Sequence, residues 1–335
     1  MTILMIMTSY KSSGVNIQKA DEFVDKIKPL VKKTFTKNVL SGIGNFGAFY
    51  EMDLKKFKRP VFVSSTDGVG TKVKIAASLN KFDSVGEDLI NHCVNDIAVC
   101  GAVPLYFLDY YAMGKLKVSN SVNVVKGLVK GCIGNSMSLI GGETAEMPGV
   151  YEENDFDLAG TIVGIVDKNK IVNSKNVKKG DVLVGFASTG LHTNGYSLIR
   201  KIFTAKDYKK YYPELKNTLG SELLKVHKSY LNIIQTSLSK FKVSSFSHIT
   251  GGGIIGNTKR VIPKDRILNV EWDSWKRPEI YNVIQKKGNV PESDMRKTFN
   301  LGVGLIAIIP AKEAEKYCGF WKKKKEKCFI IGSIL

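Results

Sequence analysis

Apolar residues recur every three or four positions in some segments and in short unbroken runs in others, which predicts helices alternating with strands. The clearest helix is predicted over Val85–Cys100, and a second over 15–34, where Phe23 and Ile27 lie on one apolar face. Further helices are predicted at 73–79, 120–134, 195–203, 222–238, 256–261, 278–286 and 311–320. Strands are predicted at 60–66, 105–111, 138–140, 158–166, 182–187, 243–248, 267–272, 302–309 and 328–335.

The periodic pattern breaks at a polar, lysine- and asparagine-rich connector, Asp167–Lys179. A chain of 335 residues exceeds one ordinary domain. We therefore predict an N-terminal domain over 1–168 and a C-terminal domain over 169–335. Because helices and strands mix in both halves, the predicted fold class is α/β (α+β), with mixed sheets covered by helices.

The net charge of +19 is the one unusual compositional feature. Nucleic-acid binding could produce it, because phosphate neutralisation needs clustered cations. However, only six of the 50 basic residues are arginine, the residue preferred for bidentate phosphate contacts, and the lysines are scattered. We therefore predict no nucleic-acid partner, although such a charge attracts small anionic substrates.

The segment Met1–Tyr10 contains a short apolar run without a basic flank before it, so we do not interpret it as an export signal. No apolar run approaches the ~20 residues that span a bilayer. Five cysteines, an odd number without a C-x-x-C pair, are typical of thiols in a reducing compartment. We therefore predict a cytoplasmic protein without a membrane partner.

Gly42, Gly44 and Gly47 match the pattern G-x-G-x-x-G within Ser41–Phe49. A dinucleotide-binding fingerprint requires a strand before and a helix after this pattern, whereas here a helix precedes it and an extended segment follows. Two interpretations remain. The loop either lies over phosphates, which its backbone could approach closely, or is an ordinary surface turn.

Asp67 stands where the strand 60–66 ends, followed by Thr71 and Lys72. Ligands commonly bind at this end of a strand, and magnesium prefers carboxylate oxygens together with substrate phosphates. Thr71 and Lys72 are phosphate partners in kind, though not at P-loop spacing. The alternative is an Asp-Gly turn flanked by a solvent-facing lysine.

Four polar residues lie on one stripe of the otherwise apolar helix 85–100: Asp88, His92, Asn95 and Asp96. This stripe is either a solvent face or the wall of a site. Glu143 and Glu146 stand in a predicted loop flanked by glycines, 141–149. Carboxylates from three segments (Asp67, Asp96 and Glu143) could therefore share metal ions bound to a triphosphate.

Two further loops concentrate binding groups. His192 and Asn194 lie between a predicted strand and a predicted helix, where such a pair favours a binding site over a structural role. Gly252 and Gly253 enter another helix, where exposed backbone N–H groups bind phosphate or where a tight turn needs positive φ.

Taken in order, these segments resemble the phosphoribosylformylglycinamidine cyclo-ligase (aminoimidazole ribonucleotide synthetase) family. The matching stretches are SGIGNFGAF (41–49), STDGVGTK (65–72), CVNDIAVCGA (93–102), FLDYYAMGKL (107–116), GGETAEMPG (141–149), STGLHTNGYSLIRKI (188–202), HITGGGIIGN (248–257) and TFNLGVG (298–304). The resemblance implies ATP- and Mg2+-dependent closure of formylglycinamidine ribonucleotide to aminoimidazole ribonucleotide. That reaction is a step of purine synthesis.

The resemblance also implies roles for individual residues. His192, Asn194 and Asp67 are the implied catalytic residues, and Asp67, Asp96 and Glu143 the implied metal ligands. The implied nucleotide contacts are Gly42, Gly44, Phe46, Gly47, Thr71, Lys72 and Asn95. Gly252 and Gly253 are implied to hold the substrate phosphate. The family further implies a homodimer in which the two N-terminal domains pair into a barrel.

Related enzymes are the main alternatives. A thiamine-monophosphate kinase would carry paired aspartates where this chain has Asn45 and Phe46. A selenophosphate synthetase would need a cysteine near the N-terminus, whereas the first is Cys93. A hydrogenase-maturation protein would end in cysteine, whereas this sequence ends in Leu335. A basic nucleic-acid-binding protein on a retired enzyme scaffold is the alternative from another class.

Overall fold

The computed structural model describes residues 12–335, so the apolar N-terminal segment Met1–Tyr10 lies outside the described residues. The first half forms a four-stranded sheet in the order β1-β4-β2-β3, antiparallel except for the parallel pair β2–β3. Its strands are β1 (Pro60–Gly68), β2 (Val103–Met113), β3 (Ser138–Glu146) and β4 (Phe156–Asp167). Its helices are α1 (Ile17–Val31), α2 (Lys72–Ser78), α3 (Asp83–Ala98) and α4 (Val118–Gly134).

Two glycines hold α3 close to α4. A Cβ on Gly86 would lie 2.3 Å from the carbonyl oxygen of Val124, and a Cβ on Gly127 would lie 2.1 Å from that of Asp83. Only glycine permits two helix backbones to approach this closely. The contact seats α3 under the sheet, and most of the helix is buried.

The second half forms a five-stranded antiparallel sheet in the order β8-β10-β5-β11-β9. Its strands are β5 (Val182–Ala187), β8 (Ser245–His248), β9 (Leu268–Val270), β10 (Val303–Ile309) and β11 (Cys328–Ile334), and β6 (Tyr211–Tyr212) pairs separately with β7 (Asn217–Thr218). Its helices are α5 (Tyr196–Ile202), α6 (Ala205–Tyr208), α7 (Leu219–Leu223), α8 (Leu231–Lys240), α9 (Gly253–Thr258), α10 (Glu279–Gly288), α11 (Glu292–Thr298) and α12 (Ala314–Lys323).

Most of the predicted elements are present, and the mixed α/β class is confirmed. Several details differ, and the short elements α6, β6 and β7 were not predicted. The predicted helix 222–238 is two helices, α7 and α8, joined by a segment without helical hydrogen bonds. Strand β3 runs on to Glu146, so the predicted loop at 141–149 is mostly strand. Helix α11 was not predicted, because its short sequence Glu292–Thr298 shows little apolar periodicity.

One apolar core spans both halves of the chain. It includes Val69 and Leu89 from the first half and Leu191 and Tyr196 from the second, all buried. The predicted boundary at 168/169 falls between the two sheets and stays a prediction. Within residues 12–335 no helix is both long enough and apolar enough to cross a membrane.

Within residues 12–335, no helix covers one face of the first sheet. Phe62 on β1 is 58% exposed, and Leu108 and Tyr110 on β2 are 37% and 39% exposed. Successive strand residues point to opposite faces of a sheet, so the neighbours of Phe62 on β1 face the other way. On that opposite face, β1 packs against α3.

Candidate active site

The polar stripe of α3 lies between the two halves of the protein. Asp88 and Asn95 are fully buried, and Asn91 and His92 are nearly so. Of the two interpretations left open by the sequence, the solvent face is therefore wrong for most of the stripe, and the wall of a site stays a prediction. Asp96, on the last turn, keeps 27% of its side chain exposed.

The stripe binds the segment between α7 and α8. Asp88 Oδ1 accepts a hydrogen bond of 2.7 Å from the backbone N–H of His227, and Asn95 Oδ1 accepts one of 2.7 Å from that of Tyr230. Asn91 Nδ2 donates to the carbonyl oxygen of His227 at 2.7 Å. These bonds satisfy buried backbone groups that a continuous helix would have paired internally, which explains why the predicted helix 222–238 is interrupted.

All four histidines of the chain meet above this stripe. The His192 and His227 rings stack with centroids 3.9 Å apart. His227 Nε2 lies 3.0 Å from His248 Nε2, and His92 Nδ1 lies 2.7 Å from Thr193 Oγ1. Of the four histidines, the sequence indicates only His92 and His192 as candidate site residues. It does not indicate His227 and His248, because nothing in their sequence spacing shows that they meet the other two.

Two of these histidines, His92 and His248, each contact one aspartate carboxylate. His92 Nε2 lies 2.8 Å from Asp67 Oδ2, and His248 Nδ1 lies 2.8 Å from Asp96 Oδ1. His92 Nε2 is also 3.7 Å from Asp96 Oδ2. The structure thus brings Asp67 and Asp96 together from β1 and α3, as predicted for a shared metal site.

The electrostatics of these pairs follow from burial and contact. Burial tends to raise the pKa of Asp67, but the hydrogen bond from His92 outweighs it, and the pKa is lowered. The same balance, with His248 as partner, lowers the pKa of Asp96. For His92, burial tends to lower the pKa, yet Asp67 and Asp96 raise it. The two aspartates are therefore ionised at neutral pH.

His192 does not face open solvent, contrary to the role implied for it. Its side chain is 1% exposed, and within the described part of the chain its Nδ1 has no hydrogen-bond partner. Burial lowers its pKa well below the ordinary value, and the same holds for His227. Because an imidazole in this setting is neutral and covered, direct contact with substrate is not available to His192 in this structure.

Lys72 and Asn95 are likewise unavailable to a nucleotide in this structure, which corrects their implied contacts. Lys72 is fully buried, and its Nζ lies 2.8 Å from Asp88 Oδ2. Asn95 is also fully buried, and its Nδ2 donates to the carbonyl oxygen of Lys228 at 2.9 Å. Both side chains satisfy buried groups at the contact between the halves.

Glu143 does not join Asp67 and Asp96 within one chain. Asp67 and Gly142 occupy one row across the sheet, on β1 and β3, with β4 and β2 between them. Three inter-strand steps separate them by about 14 Å. Glu143 follows Gly142, so it points to the opposite face of the sheet from Asp67. The predicted three-carboxylate site is therefore wrong for a single chain.

Glu143 instead lines a cavity of about 690 Å3 beside α1. The glycine loop 42–48 forms one wall, and Val24 and Ile27 of α1 contribute apolar surface. Asp109 also lines it, and burial raises the pKa of that carboxyl to about 7. An apolar-walled cavity of this size with a few acidic groups suits a small ligand.

The glycine loop stands away from the rest of the protein. A Cβ on Gly42, Gly44 or Gly47 would meet no atom within 4 Å. The Phe46 ring is fully exposed at the tip. No helix begins at this loop, so the dinucleotide fingerprint is excluded, as predicted. The glycines therefore do not serve packing, and the loop can approach a ligand closely.

The two loops predicted to hold substrate lie side by side. A Cβ on Gly251 would lie 3.0 Å from Asn194 Oδ1. Gly252 has φ +96° and is the N-cap of α9. Gly253 has φ +64°, and a Cβ there would lie 1.9 Å from the carbonyl oxygen of Arg296. A tight turn thus explains both glycines, whereas a phosphate contact is untested.

Two family models match the chain. The AIR synthase related protein N-terminal domain matches residues 55–166, and the corresponding C-terminal domain matches 178–335. Thiamine-monophosphate kinase from Stenotrophomonas maltophilia shares the fold, with a TM-score of 0.70 at 14% identity over 92% of this chain and 93% of that one. Hydrogenase maturation protein HypE in complex with ATP has a TM-score of 0.64 at 13% identity, covering 93% and 86%. This chain therefore belongs to the class of AIR synthase related proteins.

Curated relatives narrow the class. Phosphoribosylformylglycinamidine cyclo-ligase of Thermoanaerobacter pseudethanolicus is 47% identical over 330 residues, which is 98% of this chain and 97% of the relative. The enzyme of the same name from Thermodesulfovibrio yellowstonii is 46% identical over 97% of this chain and 95% of its own length. The chain belongs to the phosphoribosylformylglycinamidine cyclo-ligase family.

Proposed function

We propose that this chain uses ATP to close formylglycinamidine ribonucleotide to aminoimidazole ribonucleotide, with release of ADP and phosphate. The observation that carries the proposal is 47% identity over 98% of the chain to an enzyme named for this reaction. ATP transfers its terminal phosphoryl group to the formamide oxygen. The amidine nitrogen then attacks that carbon, the ring closes, and phosphate leaves with the oxygen.

Such a reaction asks a protein to hold the nucleophile against the electrophile and to neutralise phosphate charge. The glycine-loop cavity supports a nucleotide site. Its exposed loop backbone and the Phe46 ring at the tip suit phosphates and a base, respectively. We assign Gly42, Gly44 and Gly47 to the nucleotide, and we withdraw Lys72 and Asn95.

Magnesium fits the two converging carboxylates. Asp67 and Asp96 keep 41% and 27% of their side chains exposed, so oxygen atoms remain accessible beside His92. Mg2+ needs only one or two carboxylates besides water and substrate phosphates. When bound, the ion would offset charge on the transferred phosphoryl group. Glu143 would reach such an ion only from another chain.

The loops at 192–194 and 251–253 support a substrate site. Asn194 is half-buried beside Gly251, and Thr71 Oγ1 lies 3.2 Å from Ser197 Oγ at the edge of the same loop. We assign substrate contacts to Asn194 and to the backbone of Gly252. We also assign Thr71 to the substrate, in place of the nucleotide contact that the resemblance implied for it. His192, being buried, holds the shape of this loop in our proposal.

A homodimer is part of the proposal. The helix-free sheet face with Phe62, Leu108 and Tyr110 is the surface on which a second copy would pack, since paired sheets bury such faces. Glu143 lies on this face. A cytoplasmic setting suits the five cysteines, all of which are free thiols.

The test is direct. Purified protein is incubated with formylglycinamidine ribonucleotide, ATP and Mg2+, and the aminoimidazole product is followed with ADP release. We expect product and ADP in equal amounts, and neither without ATP. ADP release without cyclised product would contradict the proposed reaction.

A further inference from the structure

The Thr193 side chain lies between the Asp67–His92 pair and Asn194. Thr193 Oγ1 is 2.7 Å from His92 Nδ1, and the other nitrogen of that ring, Nε2, is 2.8 Å from Asp67 Oδ2. Asn194 Nδ2 donates to the same Oγ1 at 3.4 Å. A continuous series of hydrogen bonds therefore runs from the Asp67 carboxylate on β1, through α3, to the loop 192–194 of the second half.

The backbone on both sides of Thr193 is held in place. The carbonyl oxygen of His192 accepts a hydrogen bond of 3.0 Å from Tyr196 Oη. Gly195 has φ +85°, and a Cβ there would lie 2.2 Å from the Phe299 ring, so only glycine fits this close approach. Thr193 itself is buried, and a β-branched side chain has few χ1 rotamers. Its hydroxyl group therefore has little freedom to move.

The His92 ring depends on this hydroxyl for its orientation. The imidazole is 5% exposed, and within residues 12–335 Thr193 Oγ1 is the hydrogen-bond partner of its Nδ1. The bond that one ring nitrogen makes determines how the other nitrogen is used, and here the other nitrogen contacts Asp67. Asp67 Oδ1 accepts from the backbone N–H of Gly68 at 2.7 Å. The carboxylate is thus fixed from one side by its own backbone and from the other by His92.

We propose that Thr193 is a positioning residue for the metal carboxylate. Its hydroxyl holds the His92 ring, and the ring holds Asp67 in the orientation that a magnesium ion requires. Because Asn194 contacts the same hydroxyl, the carboxylate is also placed relative to the substrate. This role rests on the proposed function, which gives Asp67 to magnesium and Asn194 to the substrate. A hydroxyl that served packing alone would change stability and leave turnover intact.

The test compares Thr193→Val, which removes the hydroxyl but keeps the branched shape, with Thr193→Ser, which keeps the hydroxyl. Both are assayed at one fixed Mg2+ concentration. Loss of a group that orients a metal ligand typically lowers activity about 10- to 100-fold, so we expect kcat of Thr193→Val to fall by about that factor. The KM for ATP should change less than about twofold, and Thr193→Ser should keep kcat within about threefold of the wild type.

The matched control is Ser237→Ala on α8. Ser237 Oγ lies 2.7 Å from Tyr317 Oη, and both groups are buried, so this variant also breaks a buried hydroxyl contact. It should lose stability without losing kcat. Urea denaturation of all variants separates the two effects.

A second measurement needs no turnover. The chain has four histidines, so a protein labelled with 15N in the histidine rings gives few signals, and His92→Gln identifies the signals of His92 by their loss. We expect the Nδ1 signal of His92 to shift in Thr193→Val and to return to its wild-type position in Thr193→Ser. Thr193→Ala takes the place of Thr193→Val if the valine variant does not fold.

A folded Thr193→Val protein with kcat within about twofold of the wild type would overturn the role, and so would an unshifted His92 signal. Thr193→Ser as impaired as Thr193→Val would also overturn it, because the hydroxyl would then not be the decisive group. Wild-type protein that forms no aminoimidazole product would contradict the proposed function instead. The histidine spectra, recorded without substrate, would still decide whether Thr193 holds His92.

Discussion

Lys72 Nζ and Asp88 Oδ2 lie 2.8 Å apart, and neither side chain is exposed to solvent. Lys72 Nζ also donates to the carbonyl oxygens of His192 at 3.2 Å and Lys225 at 2.8 Å. Asp88 Oδ1 accepts from the backbone N–H of His227. Burial lowers the pKa of Lys72 and raises that of Asp88, and each partner opposes the shift of the other. This ion pair links the first half to two loops of the second.

Lys72→Met should destabilise the protein strongly, because Asp88 is left as an unpaired buried charge. Breaking one partner of a buried pair costs about 3–5 kcal/mol. Urea denaturation gives the change in the free energy of unfolding. The double variant Lys72→Met/Asp88→Asn should recover part of the loss, since it removes the orphaned charge. A single variant within about 0.5 kcal/mol of the wild type would show that the pair does not hold the halves together.

Asp67→Asn should abolish metal-dependent cyclisation while leaving the fold intact. The amide keeps a polar group beside His92 but loses the charge that would hold a metal, so we expect kcat to fall by about 100-fold or more. Steady-state kinetics at saturating Mg2+ measures this. The matched control is Asp25→Asn, which changes an exposed aspartate on α1. Full activity in Asp67→Asn would remove Asp67 from the site.

Phe46→Ala should weaken ATP binding without changing stability. The ring is fully exposed at the tip of the glycine loop, so it contributes no packing to the free protein. Stacking of a base on an aromatic ring is worth about 1–3 kcal/mol, which predicts a roughly 10-fold higher Kd for ATP. Calorimetry with a non-hydrolysable ATP analogue measures it. Phe49→Ala, at 66% exposure on the same loop, is the control and should bind normally.

Sequence patterns predict those parts of the site that depend on neighbouring residues. They do not predict contacts between residues that are far apart in the chain. Local pattern placed Asp96 on its periodic helix and Asp67 at the end of its strand. The predicted strand 60–66 stops just before Asp67, whereas β1 continues through it to Gly68. The positions of Lys72 and Asn95 were also predicted, but not their burial. Both side chains are covered by the segment 225–230, and nothing local in either sequence indicates that contact.

The prediction that Glu143 shares a metal site with Asp67 and Asp96 was wrong for a different reason. The side to which a strand residue points is set by its register with neighbouring strands, and one residue reverses it. The predicted strand stopped at Ile140, so the face of Glu143 was not considered, whereas β3 continues to Glu146. The histidine cluster was missed because His92, His227 and His248 come from distant segments. Their convergence is a property of how the two halves pack.

Stability should fall as the solution is acidified below about pH 6.5. Burial lowers the pKa of His192 and His227 well below 6.5, so both stay neutral in the folded protein while the unfolded chain protonates them. A depressed histidine pKa contributes stability above the unfolded value, and this is lost as pH decreases. These two groups give a slope of up to about 2.7 kcal/mol per pH unit, and His248, whose pKa burial also lowers, though less strongly, adds to it. The pKa of His92 is raised, so its contribution is lost only above about pH 6.5 and does not cancel this slope.

Urea denaturation at pH 7.5, 6.5 and 5.5 measures the slope, and His192→Asn identifies one of its sources. Asparagine tolerates the left-handed backbone at position 192, where φ is +62°, better than most residues. Asparagine cannot take up a proton in the unfolded chain. The slope of the free energy of unfolding against pH should therefore decrease by roughly 1.4 kcal/mol per pH unit in this variant. His92→Gln is the control, because its raised pKa should leave the slope between pH 6.5 and 5.5 nearly unchanged. An unaltered slope in folded His192→Asn would mean that His192 already carries a proton in the native protein.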